Sequence, residues 1–308
     1  MIPAPASGAL PLDGVSTVLL RGADQAGLIV GELTSRGATV KLLPLIDFEI
    51  PQDTAPLDAA LGSLREGGYH WLIVTSSTTV RALKQRSAHL GLDLPGGIPR
   101  HTRIAAVGEA TASALAAEGY RVDLVPGRSG QESSASGLAA ALGMLPPMGR
   151  VLLPQADLAA DTLERSLREQ GWDVLRVIAY RTVAYPAVAA QRLTTEISLA
   201  SERGVPRPAS TETELDPAGF WAAVADGAVD AVVFTSPSTV RRLSEQRPGP
   251  SGKDFPAGLA AVMIGASTAA EAVRWGIPVA SVAAEPTPAG IADAVAVAVA
   301  GPLPIVTG

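Results

Sequence analysis

The residues VVFTSPSTV at 232–240 repeat, with substitutions, an earlier stretch of the chain, LIVTSSTTV at 72–80. In each copy a short apolar run rich in β-branched side chains ends at a Thr-Ser pair and passes into a helical pattern. A run of this kind, without polar alternation, reads as a strand of a parallel sheet that is buried on both faces. The Thr-Ser pair then stands at the turn from strand to helix, where a hydroxyl can cap the helix that follows. A helix start also turns N–H groups and the positive end of its dipole toward the space above the sheet, which suits an anion. Ser76 and Ser236 are therefore candidates for anion contacts, with plain helix capping as the alternative. The second copy of the turn is what favours the first reading.

The repeat continues on either side. TVLLRGADQAGLIVGELTSRGATVKLL at 17–43 matches RVLLPQADLAADTLERSLREQGWDVLRV at 150–177 with about one residue inserted. IAAVGEATASALAAEGYRVDLV at 104–125 matches LAAVMIGASTAAEAVRWGIPVASV at 259–282. The first pair reads as strand, helix and strand, with Gly37 closing its first helix as a C-cap residue. The second pair reads as strand, glycine turn, helix and strand, the glycines being Gly108 and Gly265. Strands and helices alternating at these lengths predict an α/β fold of doubly wound parallel sheets, with helices on both faces. Ligands of such sheets sit beyond the carboxyl ends of the strands, so the Thr-Ser turns and the glycine turns should share that edge. Two such edges facing each other would make a cleft. A tandem division would cut the chain near residue 148, and the repeat is equally compatible with an exchange of strands between the two domains.

Composition narrows the function. The 308 residues suffice for two domains with their own cores. The formal net charge is −6, basic residues form no runs and aromatic residues make up 4%, so no nucleic-acid surface is expected. Cysteine is absent and His70, His89 and His101 lack ligand spacing, so neither a disulfide framework nor a metal site is expected. The first residues, MIPAPASGALPLDG, lack the basic and apolar regions of a signal peptide, which predicts a loose leader on a cytoplasmic protein. Mean hydropathy is +0.26, yet the longest apolar tract, near 292–300, is too short to span a bilayer, so no membrane segment is expected. Residues 199–217 and 246–256 are polar and rich in Pro or Gly, and read as exposed loops.

AYRT at 179–182, FTSPS at 234–238, IGASTA at 264–269 and AAEPTPAGIADAV at 283–295 together resemble the uroporphyrinogen-III synthase family, in order and in spacing, over nearly the whole chain. The resemblance implies two doubly wound parallel-sheet domains joined by a two-stranded connector, with the ligand cleft between them. Carried onto this chain, it gives one domain from residues 1–45 and 185–308 and a second from 46–184. The implied reaction is closure of hydroxymethylbilane, a linear tetrapyrrole, to uroporphyrinogen III with inversion of ring D, by a monomer that uses no cofactor. Residue by residue, Tyr180 matches the family's Tyr in Y-x-T and is the candidate for assisting departure of the hydroxyl; packing at a hinge is the alternative. Ser76 and Ser236 match the serines of the two Thr-Ser turns. Thr111, after Gly108, matches the threonine of the first glycine turn, and Ser267 with Thr268, after Gly265, matches the Thr-Thr of the second. Arg21-Gly22 departs from the more usual Arg-Pro, and Ser267 from the more usual Thr; Arg21 remains a candidate partner for a substrate carboxylate.

Two other classes are compatible with these residues. One is a non-catalytic two-domain protein closing on an anionic ligand, against which the missing signal peptide argues where a periplasmic receptor is meant. The other is a regulatory descendant of the enzyme fused to a DNA-binding module, for which these residues offer no helix-turn-helix with a basic recognition helix.

Overall fold

The structure, a computed structural model, describes residues 10–147, 149–193, 214–248 and 255–301. Residues 1–9 of the leader expected at 1–14, most of the expected loops at 199–217 and 246–256, and the end of the chain from 302 lie outside the described residues; the rest of that leader is packed and not loose, with Leu12 fully buried and its N–H donating to the Arg36 carbonyl at 2.9 Å. In chain order the first elements are β1 (Ser16–Leu19), α1 (Ala23–Ser35), β2 (Thr39–Leu42) and β3 (Ile46–Glu49). Next come α2 (Ala55–Arg65), β4 (Trp71–Val74), α3 (Ser77–His89), a single turn α4 (Leu94–Gly97), β5 (Arg103–Ala106), α5 (Glu109–Ala117) and α6 (Ala135–Gly143). They are followed by β6 (Arg150–Ala156), α7 (Thr162–Glu169) and the long β7 (Asp173–Ala184). The last third holds α8 (Pro217–Ala225), β8 (Ala231–Phe234), α9 (Pro237–Glu245), β9 (Ala260–Met263), α10 (Ala266–Arg274), β10 (Val279–Val282) and α11 (Pro288–Ala300).

These strands form two five-stranded sheets, ordered β10-β9-β8-β1-β2 and β3-β7-β6-β4-β5. Every pair in the first sheet is parallel, as are β7-β6, β6-β4 and β4-β5 in the second. The chain divides into two compact units accordingly: 10–47, 184–186 and 214–301 belong to one, 48–183 and 187–193 to the other. It crosses from the first to the second within β3, between Asp47 and Phe48, and returns at the end of β7.

The repeat explains this interleaving. β1 lies between β2 and β8, just as β6 lies between β7 and β4. Each sheet is therefore built from the strand–helix–strand of one half of the chain and the Thr-Ser strand of the other. The last repeated strand appears as β10 in one unit and as a single parallel bridge, Ala105 to Leu124, in the other. Pairing also fixes where the extra residue falls: Thr17 sits opposite Ala231 and Val151 opposite Trp71, so Thr17 and Val151 are equivalent.

Both copies of the opening stretch are buried along their whole strands, and both faces are covered. Along β8, Ala231 and Val233 face Ile29, Leu33, Ile291 and Val295 of α1 and α11. Val232 and Phe234 face Phe220, Val240, Leu243 and Ala272 of α8, α9 and α10. In the other sheet Leu72 and Val74 meet α2, α3 and α5, while Trp71 and Ile73 meet α6 and α7. An α/β sandwich of this kind leaves no polar side to either strand, which is why the run carries no alternation. The turn after α1 follows its sequence signal as well: Gly37 has φ +100° and donates its N–H to the Thr34 carbonyl, a left-handed C-cap position that suits glycine.

Candidate functional site

The carboxyl edges of the sheets carry the residues singled out by sequence. In the unit built on β4, Ser76 is the N-cap of α3: its backbone is extended and its Oγ accepts from the Thr79 N–H at 3.1 Å. In the other unit Ser236 caps α9 reciprocally, accepting from the Thr239 N–H at 3.3 Å while the Thr239 hydroxyl accepts from the Ser236 N–H at 3.2 Å. The capping alternative is thus a structural fact for both serines; capping uses each hydroxyl as an acceptor, so the O–H is the part that could donate to an anion. The Thr235 hydroxyl donates to the Leu20 carbonyl at 2.9 Å, which ties this turn to the end of β1, beside Arg21. Arg21 is half-buried there and reaches the Gln25 carbonyl at 3.5 Å, among its other interactions.

Each Thr-Ser turn has a glycine turn at its side. The Val107 N–H donates to the Val74 carbonyl at 3.1 Å, and Ile264 donates to Phe234 at 3.0 Å, at equivalent positions of the repeat. Gly108 and Gly265 are the N-caps of α5 and α10 with extended backbone, a conformation open to any residue. A Cβ on Gly265 would meet nothing within 4 Å, and one on Gly108 would come no closer than 3.7 Å, to Ser133. Fold alone does not require glycine at either place. Gly265→Val is accordingly expected to fold normally, which a thermal melt would check, so that any loss it causes should appear in ligand binding. Unchanged ligand affinity in the folded variant would remove Gly265 from the candidate site.

The hydroxyls after these glycines differ. Thr111 and Thr268 are 5% and 1% exposed, each on the third residue of its helix and turned into the protein, whereas Ser267 is exposed.

Tyr180 is where the structure adds most. It lies in β7, two strands away from β4, with β6 between them. Pairing of β6 with β7 shifts between Gln155 and Ala156, so that Gln155 faces Ile178 and Ala156 faces Tyr180. That irregularity, next to the short side chain of Ala156, lets the ring reach across the end of β6 to the start of α3. Its hydroxyl lies 3.3 Å from Ser76 Oγ, with the Thr78 side chain close enough to act on its titration. Phe48 packs against the ring edge-on, with centroids 5.4 Å apart and planes at 90°. The phenol is 8% exposed, and burial raises its pKa above the ordinary value; hydrogen bonds from Ser76 and Thr78 pull the other way, and the charge of Asp157 adds to the rise. The group is therefore a proton carrier and hydrogen-bond donor throughout the neutral range.

Within one unit the structure thus brings Ser76 and Tyr180 together, with Gly108 on the adjoining turn; within the other it brings Arg21, Ser236 and Gly265 to one edge. Sequence alone does not point to Thr78, Phe48 or Asp157. Only Asp157 carries a signal there, as the acidic residue of PQAD at 154–157, which the sequence match sets against RGAD at 21–24. Among the described residues no group of three or more His, Asp or Glu is placed to hold a metal, and no helix is long and apolar enough to cross a membrane.

Comparison with known proteins bears on the family and the fold. The family model for uroporphyrinogen-III synthase HemD matches residues 28–293. The uroporphyrinogen-III synthase of Synechococcus elongatus is 30% identical over 176 residues, which are 56% of this chain and 62% of that protein; the match thus spans about six-tenths of the relative's length. A crystal structure of a mutant uroporphyrinogen III synthase from Thermus thermophilus matches with a TM-score of 0.54 at 22% identity, covering 87% of this chain and 92% of that one, which shows a shared fold. With the family match running over well more than half of the sequence, and the interleaved sheets in agreement, the chain belongs to the uroporphyrinogen-III synthase family.

Proposed function

We propose that this chain cyclises hydroxymethylbilane to uroporphyrinogen III, inverting ring D, as a hydro-lyase that uses no cofactor. The observation that carries the reading is the buried Tyr180 hydroxyl held 3.3 Å from the capping Ser76 at the start of α3. In this reading Tyr180 donates to the substrate hydroxyl, which leaves as water and makes the hydroxymethyl carbon an electrophilic azafulvene. Ring D attacks through its substituted carbon to give a spiro intermediate, which rearranges and sheds the proton that restores aromaticity. Ser76, Ser236, Ser267, Arg21 and the N–H groups following Gly108 and Gly265 are then the contacts for the substrate's carboxylates, while Thr111 and Thr268, buried beneath the same helix starts, act only in support of them. Helix starts and hydroxyls suit this polyanion in a chain whose net charge is itself −6. The same reading makes the protein a cytoplasmic monomer.

An isomer assay on hydroxymethylbilane tests the proposal directly. Type III product above the spontaneous background supports it; spontaneous type I alone, with tight binding of the tetrapyrrole, would make the chain a non-catalytic or regulatory relative.

Because the anion contacts are many and individually modest, no single hydroxyl should be essential. Ser76→Ala, Ser236→Ala and Thr268→Ala are each expected to cost about 0.5–2 kcal/mol in substrate binding or stability, the range for one cap or one hydrogen bond. Complete loss of activity in a folded Ser236→Ala variant would point to nucleophilic chemistry and against this mechanism.

A further inference from the structure

Asp157 follows the last residue of β6 and is tied to both ends of the Tyr180–Thr182 segment. Its N–H donates to the Tyr180 carbonyl at 3.0 Å. Its Oδ1 accepts from the Thr182 N–H at 2.9 Å and from the Leu158 N–H at 2.9 Å. Its Oδ2 stands 4.0 Å from Arg181 Nε, a distance at which the pair is loose. The clamp sits just past the place where pairing of β6 and β7 shifts by a residue, and that shift is what turns Tyr180 toward α3. Without regular ladder bonds at that point, something else must fix the strand's direction, and the Asp157 carboxylate with its own N–H takes that place.

We propose that Asp157 is the positioning residue for Tyr180, clamping the end of the strand on both sides of the ring so that the phenol meets Ser76. This rests on the reading of Tyr180 as proton donor, and it adds a residue to which no role has been given. Burial is the main cause that raises the pKa of the Tyr180 phenol, and the Asp157 charge adds to it; displacing the ring from its clamp would therefore lower that pKa. The start of α3 presents the hydroxyls of Ser76 and Thr78, with the buried Arg81 one turn further on. From β3 comes Phe48, while its neighbours Asp47 and Glu49 alternate to the opposite face and are buried there. Arg181, adjacent in β7, is exposed. Of these groups, Asp157 is the charged one that acts on the Tyr180 phenol.

The test separates charge from structure. Asp157→Asn keeps an oxygen for the Thr182 N–H and removes the charge. A ring-fluorinated tyrosine at position 180 brings the phenol into a convenient range, and its fluorine resonance is followed through a pH titration with Asp and with Asn at 157. The expected result is a lower titration midpoint in Asp157→Asn, together with a fall in kcat at nearly unchanged KM and an alkaline limb of activity displaced to lower pH. An unchanged midpoint overturns the proposal, and so does a loss of rate or stability without any shift, which would make Asp157 a fold residue only. If Asp157→Asn does not fold, Asp157→Ser, whose hydroxyl can still accept from Thr182, carries the same measurement. The midpoint needs no turnover, so it distinguishes failure of this inference from failure of the catalytic reading, which Tyr180→Phe decides.

Discussion

Tyr180→Phe is expected to slow the reaction by about 10- to 10⁴-fold, the span of typical general-acid contributions. The substitution removes one oxygen and keeps the ring, so the edge-on packing with Phe48 and the burial among Ala82, Ala179 and Leu193 persist. What is lost is the donor held 3.3 Å from Ser76 Oγ. Hydroxymethylbilane also closes spontaneously without inversion, so a slowed enzyme announces itself in its product, which should drift from type III toward type I. Quenched-flow rates with isomer analysis measure both quantities. A Phe variant that makes type III at close to the parent rate would withdraw the chemical role from Tyr180 and leave the family assignment intact.

The second large effect is on stability. Phe234 ends β8, is fully buried, and packs between Val18, Phe220, Val240 and Met263. Phe234→Ala removes the ring and leaves a cavity, for which about 3–5 kcal/mol is the usual cost. Against a typical total of about 5–15 kcal/mol this is a large share, and the denaturation midpoint should move accordingly. The neighbouring residues are Thr235 and Ser236, so partial collapse would also displace the turn. A loss below roughly 1 kcal/mol, the centre of ordinary point mutations, would show that β8 is not the tightly packed central strand described above.

Both predictions begin from features that are legible in the sequence to different degrees. The strands at 72–74 and 232–234 can be read directly, because burial on two faces leaves a sequence with no polar alternation. The helix starts can be read too, since Ser76 and Ser236 both cap as their spacing suggests. Which half of the chain supplies which strand cannot, because a repeat is compatible with either pairing: β1 and β6 have the same pattern and would fit either sheet. The glycine turns can be placed beside the Thr-Ser turns from sequence, but not their conformation: the backbone is extended at Gly108 and Gly265, and the space beside Gly265 is open. The contact between Tyr180 and Ser76 is invisible in sequence for a physical reason. It depends on a shift of pairing at Gln155 and on the small size of Ala156, a residue with no signature of its own. The buried orientation of Thr111 and Thr268 follows from the third position of a helix facing its sheet, which a strand–turn–helix boundary known only to within a residue or two does not fix.

The interleaved sheets also set a timetable for synthesis. The Ser16 N–H is bonded to the carboxylate of Asp230, 214 positions later in the chain. At a translation rate of ~5–20 residues per second, β1 leaves the ribosome roughly 10–40 s before β8 exists to lie against it. All the strands of the other unit, the last of them ending at Ala184, precede β8 in the chain. That unit should fold first, as an autonomous nucleus, while β1, α1 and β2 wait with an apolar strand edge uncovered. That interval is when a nascent chain of this topology is most exposed to aggregation and most dependent on a holdase.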